Sequence, residues 1–593
     1  MNLIRKIAIF SFTAGLSTAA AATALPEHQT SNVWYTDAHA KLMEKLQTNN
    51  RFKAKNVIVF IGDGMGISTL TSARILQGQL NGQLGEEGYL SFESFPHTAL
   101  VKTYNVDAQT PDSAGTMTAM MSGLKTDVGV IGVDEDISRG DCSTVAGNEV
   151  ITALELAEIK GLATGIISTA RITHATPAAT YAKSADRNWE DISDMPESAI
   201  TGGCKDIADQ LVNFEDYLEK RYTGVDVDGI DVVFGGGRRH FLPKDEAFNS
   251  DDAASAVEGD RTDGRDLTAE WIAKYPLGNY VFDQTGFNAI DATTTTKAVG
   301  LVNESHRQYE ADRSNDIAGE PSLTQMTEKA IDILDNQEKG FFLMVESGRI
   351  DHGHHAGSAY NALTDAIELS NAVKKAYDMT NSEDTLILVT ADHGHVFTIA
   401  GYPKRGNPIL GKVVGVNSDI PAQDADGLPY TTLGYTNGLG MMDLGNETDA
   451  DASYAMANNA GRKDISAIDT ESSGFHQEAL VPLSSETHSG EDVALHANGP
   501  GAQLVQGVIE QSGASCTQCH MIGMNVGESL IGREVLSFRK EEAASKKVSG
   551  GFSCYRHAQE GIVTVDARVR KGRGRSPHLH ESLREHVKHE LVF

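Results

Sequence analysis

A serine in the stretch QTPDSAGTMTAM, residues 109–120, could act as a nucleophile. Ser113 follows a proline and an aspartate, and it precedes a run of small residues that predicts the start of a helix. A serine hydroxyl is a poor nucleophile until a neighbouring group takes its proton or stabilises its negative charge. No histidine lies within ten residues of Ser113 on either side, so an activating group would have to come from elsewhere in the fold. The alternative is that Ser113 is the N-cap of that helix.

Residues of the types that bind metal ions follow three apolar runs of the chain. Asp63 follows NVIVFIG, Glu346 follows FFLMV, and Asp392 and His393 follow TLILVTA. Ligands of open α/β sheets bind beyond the carboxyl ends of the strands. If the three runs are strands of one sheet, their terminal carboxylates and imidazole can meet at one edge.

Further metal donors occur in two glycine-containing segments. Asp351 and His355 in RIDHGHHAG are four residues apart and could share one face of a helical turn. The segment ETHSGEDV contributes His488. Mixed Asp/His sets suit zinc, whereas all-oxygen sets suit magnesium. Each residue alone could instead be a surface histidine or a helix N-cap aspartate, and their occurrence together favours a metal centre.

The fold class follows from several short, β-branched-rich apolar runs that end in glycine and polar residues. Such continuous apolar runs are typical of parallel strands that are buried on both faces. We therefore expect an α/β protein, a three-layer sandwich with a central, mainly parallel sheet and helices on both faces. The runs are NVIVFIGDG (56–64), GLATGIIST (161–169), DVVFGGG (231–237), GFFLMVESG (340–348) and TLILVTADHG (385–394).

The net charge of the chain argues against one class of partner, and its N-terminal sequence predicts the compartment in which the protein works. The 593 residues include 50 Lys and Arg and 82 Asp and Glu, a net charge of −32, which argues against a nucleic-acid-binding surface. Residues 1–24 combine Arg5 and Lys6 with a short apolar stretch and small residues, which predicts a bacterial signal peptide cleaved after Ala24. A single membrane anchor is the alternative. We expect a periplasmic or secreted protein without a transmembrane anchor after cleavage, in a compartment that permits disulfides.

Seven groups of motifs together resemble those of metal-dependent alkaline phosphatases. They lie between about residues 50 and 510 in the family's order: IGDGMG, TPDSAGTMTAMMSGLKT, ITHATPAATYA with DRNW, FGGGRRHF, ESGRIDHGHH, TADHGH and ETHSGEDV. The resemblance implies a secreted phosphomonoesterase that hydrolyses small-molecule phosphate monoesters at alkaline pH through a phosphoserine intermediate. It also implies an alkaline phosphatase domain over residues 25–510, with a crown-like insertion at 400–485, and a homodimer.

The resemblance further implies a role for each donor residue. Ser113 would be the nucleophile and Arg187, in DRNW, the phosphate clamp. Two Zn²⁺ ions and one Mg²⁺ ion would bind in three sites. The implied ligands are Asp351, His355 and His488 for the first zinc, Asp63, Asp392, His393 and the Ser113 oxygen for the second zinc, and Asp63, Thr176 and Glu346 for magnesium.

Two further features resemble the animal-type branch of the family. His174 and His352 would lie near the magnesium site, where the enteric bacterial branch has Asp and Lys. This departure leaves the occupancy of the third metal site open. Cys142 and Cys204 align with a disulfide of the animal-type branch, and two free buried thiols are the alternative.

Other functions of the same superfamily remain as alternatives at this point. A phosphodiesterase or a sulfatase would share single motifs such as IGDG, but these enzymes usually carry a different nucleophile motif from DSAG. A non-catalytic homologue that binds metal or phosphate is the alternative outside the enzymes.

The tail at 511–593 differs in character from the rest of the chain. Its residues Cys516, Cys519 and His520 form a C-x-x-C-H pattern, typical of c-type haem attachment. The tail is otherwise interpreted as a degenerate, frame-altered remnant or as a segment that binds zinc or a partner. Haem c is therefore a possible cofactor of the tail alone.

Overall fold

A computed structural model of the chain describes residues 25–46, 53–251, 253–445 and 457–514. The predicted signal peptide and the predicted haem-attachment residues Cys516, Cys519 and His520 lie outside these ranges. Within them, every helix falls short of the length or the apolar character needed to cross a bilayer.

From Asn56 to Ala391 helices separate the strands of the described residues, and the later strands follow one another without an α-helix between them. In chain order the strands are β1 (Asn56–Gly62), β2 (His97–Lys102), β3 (Ala163–Arg171), β4 (Val232–Gly236), β5 (Asn279–Val281), β6 (Ala298–Leu301), β7 (Phe341–Ser347), β8 (Thr385–Ala391), β9 (Gly394–His395), β10 (Phe397–Ile399), β11 (Leu433–Gly438), β12 (Met442–Asp443), β13 (Phe475–His476), β14 (Ala479–Pro482), β15 (His488–Ser489), β16 (Val493–Asn498) and β17 (Gly507–Glu510). The α-helices are α1 (Glu27–Ser31), α2 (Val33–Leu46), α3 (Ile67–Leu80), α4 (Ser113–Ser122), α5 (Ala153–Ile159), α6 (Ala175–Ala178), α7 (Glu197–Gly202), α8 (Ile207–Val212), α9 (Phe214–Arg221), α10 (Leu267–Lys274), α11 (Gln284–Ala289), α12 (Leu323–Leu334), α13 (Arg349–His355) and α14 (Ala359–Met379).

Ten strands form one central sheet in the order β17-β2-β16-β8-β1-β7-β3-β4-β6-β5. The seven strands from β8 to β5 in this order pair in parallel. Strand β16 runs antiparallel to both of its neighbours, β8 and β2, and β17 is parallel to β2. The predicted mainly parallel sheet is confirmed.

The central strands are covered on both faces. Every residue of β1, β7 and β8 is buried, although successive side chains of a strand point to opposite faces. Helix α14 packs on β1 and β7, α12 on β3 and β4, and α5 and α6 contact β3 and β7. The sheet therefore lies between helices, as the predicted α/β sandwich requires.

The register of the sheet brings the ends of the central strands together. Gly62, the last residue of β1, lies opposite Ala391, the last residue of β8. Asp63 and Asp392 follow these two positions, and Glu346 is the penultimate residue of β7 on the other side of β1. Because all three strands are parallel, these carboxylates leave the sheet at the same edge.

The stretch at 400–485, predicted as loops and short strands, has that local structure in its described part. It contains β11 to β14 and no α-helix among the described residues. Strand β11 pairs with β10 and β14 in a small sheet, and β12 pairs with β13. The role of this stretch as a crown-like insertion stays a prediction.

Candidate metal-binding active site

Ser113 is the first residue of α4 and lies deep in the molecule. The N-cap of α4 is Asp112, whose side chain accepts a hydrogen bond from the Gly115 amide at 3.1 Å. The alternative interpretation of Ser113 as the N-cap is therefore wrong. The Ser113 side chain is only 2% exposed, and its hydroxyl is available for contacts with residues from other parts of the chain.

The contacts of Ser113 come from the ends of β1 and β8. Its Oγ donates to Asp63 Oδ1 at 3.3 Å and lies 3.1 Å from His393 Nε2. His393 Nε2 also lies 3.3 Å from Asp63 Oδ1 and 3.3 Å from Asp392 Oδ2. The predicted second zinc ligands therefore converge on the Ser113 hydroxyl, although the sequence separates them from it by 50 or more residues.

A second group of donors surrounds Asp351 on α13. His355 Nε2 lies 3.3 Å and His488 Nε2 lies 3.4 Å from Asp351 Oδ1, and the two Nε2 atoms are 3.1 Å apart. Asp351 and His355 share one helical face because they are four residues apart. His488 reaches them from β15, which pairs with β9. These are the three residues predicted for the first zinc.

His395 belongs to the same group and was missed by the sequence analysis. Its Nε2 lies 2.8 Å from Asp351 Oδ1, and its Nδ1 lies 2.6 Å from Glu486 Oε2. The residue stands two positions after His393 in the motif TADHGH, and it is opposite His488 in the β9–β15 register. The second histidine of that motif could have identified His395 from the sequence. Its contact with Glu486 could not be predicted, because it depends on the fold.

A third group combines Asp63 with residues from β3, α6 and β7. Potential ligand atoms of Asp63, His174 and Glu346 lie within 4.8 Å of one another. Thr176 Oγ1 donates to Asp63 Oδ2 at 3.4 Å, and Ser168 Oγ donates to Glu346 Oε2. Asp63, Thr176, Glu346 and His174 are residues predicted at or near the magnesium site, whereas the sequence analysis did not name Ser168.

Two buried atoms of this third group have no hydrogen-bond partner among the described residues. They are Glu346 Oε1 and His174 Nδ1. A buried polar atom without a partner costs about 1–3 kcal/mol, so the group is incomplete by itself. Asp63, Glu346 and His174 offer a cation carboxylate and imidazole donors within 4.8 Å of one another, so the donor set fits a metal ion.

His352, the other residue predicted near the third group, lies beside His174. The two ring centroids are 5.5 Å apart, and His352 Nδ1 accepts a hydrogen bond from Arg349 at 2.9 Å. His306 completes a cluster of three imidazoles, because its ring centroid is 4.2 Å from His352 and 5.4 Å from His174. Sequence reasoning did not single out His306, which belongs to none of the quoted motifs.

Arg187 lies next to the start of α4. It donates to Asp112 Oδ2 at 3.1 Å, and a second guanidinium nitrogen lies 3.2 Å from His174 Nε2. Asp112 also accepts hydrogen bonds from the amides of Gly115 and Gly129. A planar guanidinium and the positive end of a ten-residue helix therefore face the same region as the Ser113 hydroxyl.

The electrostatics of the pocket are dominated by crowded carboxylates. Burial and the charges of Asp392, Asp351 and Glu346 raise the pKa of Asp63 well above its usual range. Burial, with the charge of Asp392 adding to it, raises the pKa of Glu346 to about 8. Buried acids whose pKa values rise together in this way are typical of a site that binds cations.

The predicted disulfide is confirmed. Cys142 and Cys204 are bonded, with their Cα atoms 5.9 Å apart and a sequence separation of 62 residues. Both cysteines pack against a buried apolar cluster that contains Trp189, two residues after Arg187. The disulfide therefore constrains the segment that contains Arg187, the predicted phosphate clamp.

The fold and the donor groups are those of an α/β protein with candidate metal sites at the ends of its central strands, and comparisons with known proteins narrow this class. The family model described as alkaline phosphatase matches residues 54–521. The tissue-nonspecific alkaline phosphatase isozyme of Gallus gallus is 42% identical over 497 residues, which cover 83% of this chain and 89% of that protein. An alkaline phosphatase of Gadus morhua is 41% identical over 492 residues, covering 82% of this chain and 96% of that protein.

A solved structure supports the same fold at lower identity. The crystal structure of Thermus thermophilus alkaline phosphatase superimposes with a TM-score of 0.54 at 20% identity, covering 84% of this chain and 96% of that chain. The chain belongs to the alkaline phosphatase family.

Proposed function

We propose that this phosphomonoesterase transfers the phosphoryl group of its substrate to Ser113 and then hydrolyses the resulting phosphoserine. The observation that carries the proposal is the position of the Ser113 hydroxyl, 3.3 Å from Asp63 Oδ1 and 3.1 Å from His393 Nε2 at the first turn of α4. The sequence has no histidine near Ser113, and the fold brings to this hydroxyl Asp63 and His393, which we propose as zinc ligands. The substrates would be small-molecule phosphate monoesters, attacked at alkaline pH.

The ligand chemistry supports two Zn²⁺ ions and one Mg²⁺ ion. Asp351, His355 and His488 would hold the first zinc, and Asp63, Asp392 and His393 the second, because mixed imidazole and carboxylate sets suit zinc. Asp63, Thr176 and Glu346 offer oxygen atoms, which magnesium prefers. When bound, these ions supply Lewis-acid stabilisation of the attacking and leaving oxygens of an in-line displacement.

The remaining residues would bind and orient the phosphoryl group. Arg187 can bind two phosphoryl oxygens with its planar fork, and its contact with Asp112 holds the guanidinium beside the α4 terminus. The first amides of α4 and the helix dipole favour a negatively charged group at Ser113. Because these contacts are with the phosphoryl group, we expect broad specificity for the alcohol portion of the substrate.

The nucleophile is tested by replacing Ser113 with alanine. We expect Ser113→Ala to abolish turnover of p-nitrophenyl phosphate while zinc content stays near the native amount, because the carboxylate and imidazole ligands of both zinc sites are unchanged. The matched control is Ser122→Ala at the other end of α4, where the buried hydroxyl donates to Thr118 at 2.7 Å. Native-like turnover of Ser113→Ala would rule out the phosphoserine mechanism, and turnover of p-nitrophenyl sulfate above that of the monoester would favour a sulfatase.

We also propose that the chain is exported and forms a homodimer. The Cys142–Cys204 disulfide supports an oxidising compartment, and large exposed apolar side chains at 400–485 support a protein interface: Tyr402, Val416, Ile420 and Leu480. Fractionation with N-terminal sequencing would test export, and a mature chain starting at Leu25 is expected. Light scattering of the purified chain tests the dimer, and a monomer mass would refute it.

A further inference from the structure

A second cluster of a histidine and carboxylates lies apart from the three groups at Ser113. Ligand atoms of Asp191, His240 and Asp260 lie within 4.8 Å of one another. Asp191 caps the short turn at Ile192–Asp194, and His240 belongs to the turn at Arg238–Phe241 that follows β4. The backbone amide of Asp260 donates to the carbonyl of Arg239 at 2.9 Å, which brings Asp260 to the turn that holds His240.

The surroundings of His240 resemble those of a histidine that binds a metal ion. Its Nδ1 lies 2.5 Å from Asp191 Oδ2. Its Nε2 makes no hydrogen bond among the described residues, although Glu190 Oε2 is 3.3 Å away, and the residue is only 7% exposed. Metal-binding histidines commonly direct their second ring nitrogen to a carboxylate, which fixes the ring and its tautomer.

Glu190 is held in place by other residues and can serve as that orienting carboxylate. Its Oε2 accepts hydrogen bonds from Arg171 Nε at 2.8 Å and from Thr173 Oγ1 at 2.6 Å. Arg171 therefore forms an ion pair with Glu190, and His240 Nε2 lies 3.3 Å from the same carboxylate. Nδ1 of His240 faces Asp191, and Asp260 offers a carboxylate oxygen to the same cluster.

Asp260 forms a long ion pair with a cation that it shares with a second carboxylate. Asp191 is fully buried. The cation is Arg239, whose Nε lies 3.9 Å from Asp260 Oδ2, while another of its guanidinium nitrogens lies 3.0 Å from Glu304.

We propose that His240, Asp191 and Asp260 form a further binding site for a first-row divalent cation, for which Zn²⁺ is the test ion. One imidazole and two carboxylates are a ligand set that zinc accepts, with water in the remaining position. The Asp260 side chain is 33% exposed and provides access from solvent. The site shares no ligand with the three groups at Ser113, so it is separate from the proposed phosphoryl-transfer machinery.

Zinc content and anomalous diffraction test the site in the purified full chain. Native protein, Asp260→Asn and Asp226→Asn are equilibrated with Zn²⁺ in excess Mg²⁺, and zinc per chain is measured. Asp260→Asn removes one ligand at a partly exposed position and keeps the side-chain shape. Asp226 is the matched control, because it is an exposed carboxylate for which the described residues provide no ion pair.

We expect Asp260→Asn to bind one zinc per chain fewer than the other two proteins, or to bind it at least about tenfold more weakly. Data collected across the zinc edge should show an anomalous peak between His240 Nδ1, Asp191 and Asp260 in the native protein only. Turnover of p-nitrophenyl phosphate in the same samples reports separately on the pocket at Ser113. Equal zinc in all three proteins and no peak at His240 would overturn the proposal, and His240 would then be a histidine hydrogen-bonded within a carboxylate cluster.

Discussion

The donor group around Asp351 and the donor group around Glu346 differ in how the charges of their buried carboxylates are compensated. Asp351 is surrounded by His355, His395 and His488. Although burial opposes ionisation, these neighbours hold the pKa of Asp351 well below its usual range. In the Glu346 group, by contrast, Glu346 Oε1 and His174 Nδ1 have no partner among the described residues, and the pKa of Glu346 rises to about 8.

The difference indicates that the two groups depend on cations to different degrees. The Asp351 group is held together by its own hydrogen bonds and ion pairs, so it is organised before a metal binds. The Glu346 group brings carboxylates together without compensating charge, so its geometry depends on a bound cation. Asp63 connects this group to the Ser113 hydroxyl through its two carboxylate oxygens.

The largest expected effect comes from removing the shared residue. Asp63→Asn should lower kcat/KM for p-nitrophenyl phosphate by at least about 10³-fold, because ligands of two sites at the nucleophile are weakened together. Metal analysis should show losses at both sites. Asp378→Asn on the exposed face of α14, which breaks only a surface pair with Lys374, is the control. A decrease of less than tenfold would contradict a shared role of Asp63.

The next largest effect concerns the unfolding free energy of the metal-free protein, which should fall more when the Asp351 group loses its carboxylate than when the Glu346 group does. In chelated protein at pH 6, Asp351 is ionised and paired, so Asp351→Asn should cost about 3 kcal/mol of unfolding free energy. Glu346 is protonated below a pKa of about 8, so Glu346→Gln should change that free energy by less than about 1 kcal/mol. Denaturant titration of both variants measures the difference, and equal losses would contradict the contrast drawn between the groups.

A smaller effect is expected from the histidine that orients Asp351. Burial lowers the pKa of His395, but Glu486 and Asp351 outweigh it and raise that pKa to about 10. His395→Gln should weaken zinc binding at the Asp351 group by about 10–100-fold and leave magnesium binding unchanged. Zinc titration with a competing chelator measures the effect, and restoration of activity at high zinc would identify His395 as a positioning residue. Unchanged zinc affinity would contradict this role.

Much of the fold could be predicted because buried parallel strands have a simple pattern. The runs that form β1, β3, β4, β7 and β8 are continuous and apolar, and the observed strands end close to the predicted bounds. The strand order and register could not be predicted, because they depend on packing between distant segments. Asp63, Glu346 and Asp392 were predicted as site residues since each directly ends or follows such a run.

The sequence by itself determined the strands β1, β3, β4, β7 and β8 and the acidic and imidazole residues at their ends, and its resemblance to the family added the family itself and the disulfide cysteines. Only the tertiary structure decided that Asp112 rather than Ser113 caps α4, that His395 and Glu486 belong to the Asp351 group, and that His240 meets Asp191 and Asp260. The physical reason is that hydrophobic periodicity is local and is visible along the chain. The direction of a polar side chain, and the partner that compensates its charge, are fixed by segments that meet only after the sheet has formed.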